Sequence, residues 1–272
     1  RGDDVTVLSR GDHADQGRIR YRQWNPDGEG WQEHLSGAEA IVNLCGASIG
    51  EGRWTASRER ELVDSRVRPS RALIAAINTL ERPPGALLQA SGVNYYGIGE
   101  PEHVETDGAG NDFLSRLAVD WEAPLADTGH RTVAMRFGAV LDAREGALPQ
   151  MLLPFRLFAG GPVAGGRQWL SWIHIADVVR AIEFLLASPI NGAVNVTAPD
   201  PIRNSDFART AGAVLHRPAL LPLPGFVLRF ALGEQATLVC DGVRPLPARL
   251  LRAGFDFRFP GIDSALRDLS GR

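Results

Sequence analysis

The run Ala90-Ser91-Gly92-Val93-Asn94-Tyr95-Tyr96-Gly97 sets one hydroxyl and two phenols side by side, directly beyond an apolar stretch that reads as a strand. Groups of this kind can hydrogen-bond or protonate an oxygen of a small molecule, provided a neighbour supplies or withdraws the proton. No such neighbour stands beside them in the sequence. Ser91 without an adjacent base is a hydrogen-bond donor only, and Tyr95 fits a core aromatic with a satisfied hydroxyl as well as it fits a site. All 29 basic residues are arginine and the chain contains no lysine, so no side chain offers a titrating ammonium. His13, His34, His103, His130, His174 and His216 show no ligand spacing and no accompanying cysteines, which argues against a metal centre. His174, between two isoleucines, reads as a buried structural histidine.

A second constellation is made of small residues. Cys45-Gly46-Ala47 follows the strand-like run 40–44. At the carboxyl end of a strand in an open α/β sheet, such a turn lets a flat ligand lie against the backbone, although packing alone also produces tight strand exits. Arg136-Phe137-Gly138-Ala139 repeats the pattern after the next-but-one strand, and Trp172-Ile173-His174-Ile175-Ala176-Asp177 leads into a helix for which Asp177 is the expected cap.

Alternating strands and helices must hold these groups in place. Strand-like runs fall at 4–8, 19–23, 40–44, 86–90, 132–137 and 193–196, several of them apolar on both faces, as strands buried between helix layers must be. Thr55 caps a helix running toward Arg66 that continues over 70–80, with Pro69 expected to kink or split it. A further helix starts near Asp112 and carries Leu114, Leu117, Ala118 and Trp121. Beyond Arg144 the texture turns to segments punctuated by proline and glycine, with shorter helices at 207–215 and 247–253. The expected fold is α/β: a doubly wound parallel sheet with a smaller C-terminal α/β lobe. Residues 1–145 form the core domain and 146–272 a substrate lobe interleaved with the end of the sheet.

Composition narrows the function. A net charge of −3 with interspersed arginines and acids leaves no basic stripe for nucleic acid and no polybasic membrane patch. No run of about 18 apolar residues exists, so a soluble cytoplasmic protein that handles a small molecule is expected. Two distant cysteines, Cys45 and Cys240, read as reduced core thiols.

The stretches 35–49, 91–97, 135–141, 151–179, 195–208 and 221–257 resemble the atypical extended short-chain dehydrogenases/reductases known as the epimerase family, relatives of the NAD-dependent epimerase/dehydratases with a distinctive C-terminal domain. The proline- and glycine-rich string 151–179, with Trp172 and His174, is the most specific part. The resemblance implies a Rossmann core that binds NADP(H). By position it makes Ser91 the active-site serine, lines the substrate pocket with Tyr96, and sets Cys45, Gly46 and Ala47 beside the adenine-side ribose and phosphates. It sets Phe137 and Gly138 beside the nicotinamide. The family's Tyr-x-x-x-Lys pair, in which the ammonium lowers the phenol's pKa, cannot exist here. Asp112 and Arg116 occupy its positions, Asp112 reading best as a helix cap and Arg116 as a donor to a ribose hydroxyl. Ser9 and Arg10 end the first strand where NAD-binding folds place a carboxylate, and an arginine there suits a 2′-phosphate. Two functions follow as expectations: an NADP-dependent oxidoreductase or epimerase-like enzyme on a small polar substrate, or a non-catalytic dinucleotide-binding sensor or scaffold.

The chain opens on Arg1-Gly2-Asp3-Asp4 and passes directly into what is normally the second strand of such a core. The sequence is therefore expected to be an N-terminally incomplete version of a longer product, whose upstream part supplies a strand and a Gly-x-x-Gly-x-x-Gly turn.

Overall fold

A computed structural model describes residues 2–271; Arg1 and Arg272, which the expected domain boundaries include, lie outside the described residues. The first half runs β1 (Val5–Ser9), β2 (Ile19–Gln23), β3 (Ala40–Asn43), α1 (Ala56–Ile77), β4 (Ala86–Gly92), β5 (Glu102–His103), α2 (Phe113–Glu122) and β6 (Thr132–Phe137). It continues through β7 (Ala139–Leu141), α3 (Ala147–Arg156), β8 (Trp169–Leu170), β9 (Trp172–His174), α4 (Ile175–Ala187) and β10 (Gly192–Val196). The remainder holds β11 (Ile202–Arg203), α5 (Asn204–Leu215), α6 (Gly225–Leu232), α7 (Thr237–Cys240), β12 (Arg244–Pro245), α8 (Ala248–Arg252) and α9 (Ile262–Leu269).

Four strands form a parallel sheet in the order β10-β6-β4-β3, and β1 with β2 form a separate parallel pair. All six strands expected from the sequence are present. β10 lies beyond residue 146 yet completes the central sheet beside β6, so the chain returns from the C-terminal half to finish the core.

Alternation along the strands sorts the side chains by face. Leu88, Val133, Met135, Val194 and Val196 point one way and pack with Val178, Ala181 and Leu185 of α4 and with Leu250, Phe255 and Phe257. Leu88, Val133 and Met135 are fully buried, and truncating one such side chain to alanine costs about 2–5 kcal/mol. On the other face Ile74 and Ile77 of α1 meet Leu87 and Ala134, while Leu73 and Ala76 meet Trp24, Trp31 and Leu35 next to the β1–β2 pair. The strand positions that remain on this second face near the carboxyl ends are polar: Asn43, Gln89, Ser91, Arg136 and Asn195, all buried.

Thr55 caps α1 as expected, accepting from Arg58 N at 3.2 Å. Pro69 does not split the helix. It removes one amide from the ladder, but burial of Leu62, Leu73, Ile74 and Ile77 on either side of it holds the helix continuous for 22 residues. The second correction concerns α4. Its cap is His174, whose Nδ1 accepts from Ala176 N at 3.0 Å, whereas the fully buried Asp177 accepts from Arg258 N and Phe259 N at 2.8 and 2.9 Å and so ties the C-terminal segment to the core. Among the described residues no helix is long and apolar enough to cross a membrane. The C-terminal lobe has its own core, where Leu148, Leu152 and Phe155 of α3 pack with Phe207, Ala211 and Val214 of α5 and Ile262 and Leu266 of α9.

Candidate functional site

The polar residues on the second face of the sheet join into a network with α2. Glu122, in the last turn of that helix, accepts at Oε1 from Ser91 Oγ at 2.6 Å and from Arg136 Nε at 2.8 Å, and at Oε2 from Arg136 Nη2 at 2.7 Å. This is the bidentate geometry that suits an arginine–carboxylate pair. Arg136 Nη1 donates to Tyr96 OH at 3.0 Å, and that hydroxyl donates to Asn195 Oδ1 at 2.7 Å. Asn195 Nδ2 ends the chain on Leu246 O at 2.9 Å, and Asn195 N reaches Glu105 Oε1 at 3.2 Å. Aromatic rings close the sides: Tyr95 lies under the Arg136 guanidinium, 3.3 Å from it to the ring centre, and Tyr96 stacks on His103 at 5.0 Å.

The electrostatics of this network favour holding protons over moving them. Burial works against the charge on Arg136, but Glu122 more than offsets it and raises the guanidinium's pKa above its ordinary value. Burial also pushes the Tyr96 phenol up, only partly countered by Arg136 and Asn195. Tyr96 is thus a neutral phenol near pH 7, the reverse of a tyrosine tuned for acid–base work.

Toward β3 the polar contacts continue. Asn43 Nδ2 donates to Gln89 Oε1 at 3.1 Å, and Gln89 Nε2 donates to Trp121 O at 2.5 Å. Beyond Asn43 the chain turns through Cys45-Gly46-Ala47, pinned by Cys45 N on Asn43 Oδ1 at 3.1 Å and Ala47 N on Ser65 Oγ at 3.0 Å. Arg66 of α1 lies against this turn. A Cβ on Gly46 would sit 3.1 Å from its Cζ, so only glycine fits there without displacing the guanidinium. Arg66 is 7% exposed and donates to Leu62 O at 3.0 Å and Ala47 O at 2.9 Å, with its guanidinium 4.9 Å from the centre of the Trp121 ring. Burial and the nearby Arg58 charge bring its pKa down to about 10. Burial pushes the Cys45 thiol up, with the Arg10 charge acting in the opposite sense, and Leu8 of β1 and Cys45 pack against the same apolar cluster.

The expected site residues divide accordingly. Arg10 follows β1 and Cys45, Gly46 and Ala47 follow β3, where Leu8 and Cys45 pack against one apolar cluster, with Ser9 at the close of β1 accepting from Gly11 N at 3.2 Å. Ser91 and Tyr96 meet at the other end, both buried and both with their hydroxyl protons committed, to Glu122 and Asn195. Phe137 closes β6, and a Cβ on Gly138 would lie 2.8 Å from Ser171 O. Arg116 is not brought to the site. It is exposed on α2 and donates to Asn111 O, because the sheet-facing side of the helix is filled by Leu114, Leu117, Ala118 and Trp121. Asp112 caps the same helix, accepting from Ser115 N at 3.0 Å. Cys45 and Cys240 are free thiols, Cys240 buried and Cys45 half-buried. Among the described residues no cluster could hold a metal ion.

Glu122 and Arg66 escaped the sequence reading. Glu122 follows Ala118 by four residues on the buried stripe of α2, and Arg66 follows Leu62 by four on that of α1. A charge on an otherwise apolar stripe was the available signal.

The family model described as "NAD dependent epimerase/dehydratase family" matches residues 1–197, and one described as a domain of unknown function, DUF1731, matches residues 223–269. The epimerase family protein YfhF of Bacillus subtilis is 38% identical over 276 residues, covering 99% of this chain and 90% of that protein. The epimerase family protein Mb2239 of Mycobacterium bovis is 39% identical over 250 residues, covering 89% of this chain and 82% of that one. The crystal structure of human epimerase family protein SDR39U1 (isoform 2) with NADPH has a TM-score of 0.88 and 33% identity, covering 100% of this chain and 92% of that chain.

Proposed function

This chain belongs to the NAD dependent epimerase/dehydratase family, and from that premise we propose that it binds NADP(H) and acts as an NADP-dependent oxidoreductase or epimerase-like enzyme on a small polar substrate. The observation that carries the reading is the β3 exit, where Arg10 and Arg66 bring positive charge to a turn of small residues. The donor set suits the anionic end of a dinucleotide, and the NADPH in the human relative agrees with it. Arg10, beside Ser9 at the end of β1, would meet a 2′-phosphate with its planar fork, and Cys45, Gly46 and Ala47 would face the ribose and phosphates. Phe137 and Gly138 would border the nicotinamide end. A bound nicotinamide supplies the hydride chemistry. Ser91 and Tyr96, fixed by Glu122, Arg136 and Asn195, would orient a substrate oxygen while holding their own protons.

That commitment of both hydroxyls favours a second reading, a dinucleotide-binding sensor or scaffold without turnover. Titration of the purified protein with NADPH and NADH tests the first claim. NADPH should bind more tightly and Arg10→Ala should erase most of the difference, whereas equal or tighter binding of NADH defeats the NADP assignment. Loss of NADPH absorbance with a carbonyl compound, or conversion of a sugar nucleotide to its epimer with no net change in the cofactor, separates enzyme from sensor.

A further inference from the structure

Helix α6 reads Gly-Phe-Val-Leu-Arg-Phe-Ala-Leu, and none of its residues is buried. Phe226 and Phe230, four positions apart and so on one side of the helix, are 75% and 88% exposed. The chain leading into α6 is paired with the segment after α3: Leu221 N donates to Gly160 O at 3.1 Å, Leu223 N to Pro162 O at 3.0 Å and Ala164 N to Leu223 O at 2.9 Å. A Cβ on Gly161 would collide with Leu221 O, so glycine is what allows this close approach. The pairing brings Leu220 and Leu221, 81% and 58% exposed, alongside the chain at Leu157 and Phe158, 68% and 59% exposed. Phe158 stands just past the end of α3, where Phe158 N donates to Phe155 O and Ala159 N to Pro154 O, a pattern that normally ends on glycine. Its φ of 60° is left-handed, which is costly for an aromatic residue, and its ring lies under the Arg217 guanidinium, 4.4 Å from it to the ring centre. An exposed aromatic thus occupies a strained position that glycine would fill at lower cost.

We propose that this surface is a two-fold interface, covered in solution by the same surface of a second copy of the chain. Area is the first reason. Taking a large apolar residue as about 200 Å², the six exposures leave roughly 800 Å² uncovered, more than the ~300–600 Å² of the largest patch on a typical monomer and about what each partner gives to a stable interface of standard size. Composition selects the occupant. Interfaces that open and close are about as polar as ordinary surface, whereas permanent homodimer interfaces are more apolar. The charge on α6, Arg229, is drawn to Asp241 of its own chain at 3.0 Å and so leaves the phenylalanine side apolar. A lipid surface fits less well, because a short surface helix relies on a basic cluster and the chain carries a net charge of −3. A two-fold axis beside α6 would set Phe226 and Phe230 of one copy against those of the other, the self-complementary contact on which such dimers are built. Arg53 Nη2, donating to Phe230 O at 2.9 Å, and the paired segment before the helix hold it in place beforehand, so little ordering cost opposes association.

Sedimentation equilibrium of wild type, Phe230→Asp and Phe158→Gly tests this, with circular dichroism to establish that each variant is folded. Wild type should sediment as a dimer at micromolar concentration. Phe230→Asp should raise the dimer dissociation constant roughly a hundredfold or more, with secondary structure unchanged because the ring it removes is exposed. Phe158→Gly should weaken the dimer and yet raise the melting temperature of the monomer, since it relieves the left-handed position. The melting temperature of wild type should climb with protein concentration, and that of Phe230→Asp should not. A wild type that remains monomeric at about 100 μM, or a dimer that Phe230→Asp leaves intact, overturns the proposal. Binding of monomeric wild type to vesicles of phosphatidylcholine and phosphatidylglycerol, lost in Phe230→Asp, overturns it in favour of a lipid surface. Hydrogen exchange of wild type needs no variant: amides at 157–159 and 220–231 should exchange faster on dilution below the dissociation constant, and exchange there that is independent of concentration also overturns the proposal.

Discussion

At the carboxyl end of β6, Arg136 meets both oxygens of Glu122, a phenol and the face of a tyrosine; at the end of β3, Arg66 meets two carbonyls, a serine hydroxyl and the face of a tryptophan. Both cations are buried on the same side of one sheet. The difference lies in what completes them. The first has its anion built into α2 and forms a closed polar network, which rigidifies the strand ends and leaves little proton-transfer capacity. The second has no anion of its own and stands beside a turn without bulky side chains. The cation at β6 is thus locked into a structural network, while the cation beside β3 has no built-in counter-charge.

The largest effect that would break this contrast is at Glu122. Glu122→Gln leaves Arg136 buried without its counter-charge, and chemical denaturation should register a loss of about 3–5 kcal/mol. A loss under about 1 kcal/mol would mean that the network is solvated and open, and the two regions would then be alike. Tyr96→Phe should come next, at about 1–3 kcal/mol, because it strands Asn195 Oδ1 and one nitrogen of Arg136. If a substrate is found, this variant should keep the shape of the wild-type pH–rate profile, since the Tyr96 phenol stays protonated well above neutral pH. Disappearance of a limb near pH 7 would identify Tyr96 as the acid–base group after all. Asp112→Ala should cost about 1 kcal/mol through loss of the α2 cap, with turnover falling less than in Ser91→Ala; the opposite ranking would assign Asp112 a chemical role.

The smallest effect is a pH dependence away from both regions. Burial holds the pKa of His174 below its ordinary value, while Asp268 and Asp177 pull the other way. Its Nε2 lies 3.2 Å from Asp268 Oδ2 without forming a hydrogen bond. The unfolded chain therefore takes up a proton where the fold resists it. Stability present above about pH 6.5 should decline as the pH falls toward the folded value, by no more than about 1.4 kcal/mol per pH unit. Melting curves from about pH 8 to 5 should show this decline in wild type and a shallower one in His174→Asn, which keeps an acceptor for Ala176 N. Identical slopes would place the acid-labile group elsewhere.

The strands were legible because their runs are apolar and bounded by turn residues, and the Cys45–Ala47 turn because small residues directly follow such a run. The split allowed for at Pro69 does not occur, because burial on both sides of it outweighs the penalty for a missing amide. Asp177 misled because cap preference ignores distant donors, here Arg258 N and Phe259 N. Partners of the polar strand residues could not be read locally: Ser91 and Glu122 are separated by 31 positions, and Tyr96 and Asn195 by 99. Yet Arg136, inside the otherwise apolar Thr-Val-Ala-Met-Arg-Phe strand, already required a buried counter-charge somewhere. That requirement was the missed inference.

The segment after the β3 turn is held from far along the chain: Arg53 Nη2 donates to Phe230 O across 177 positions, and Gln235 Nε2 reaches Ile49 O across 186. During synthesis the sheet can assemble once β10 has emerged, but residues 49–53 have no such anchors until α6 and the turn after it follow. Contacts of that span slow folding. They also make the shape of this loop a late event, so a nascent chain would hold a formed core for some seconds, at about 5–20 residues per second, before the loop beside the Cys45–Ala47 turn was pinned.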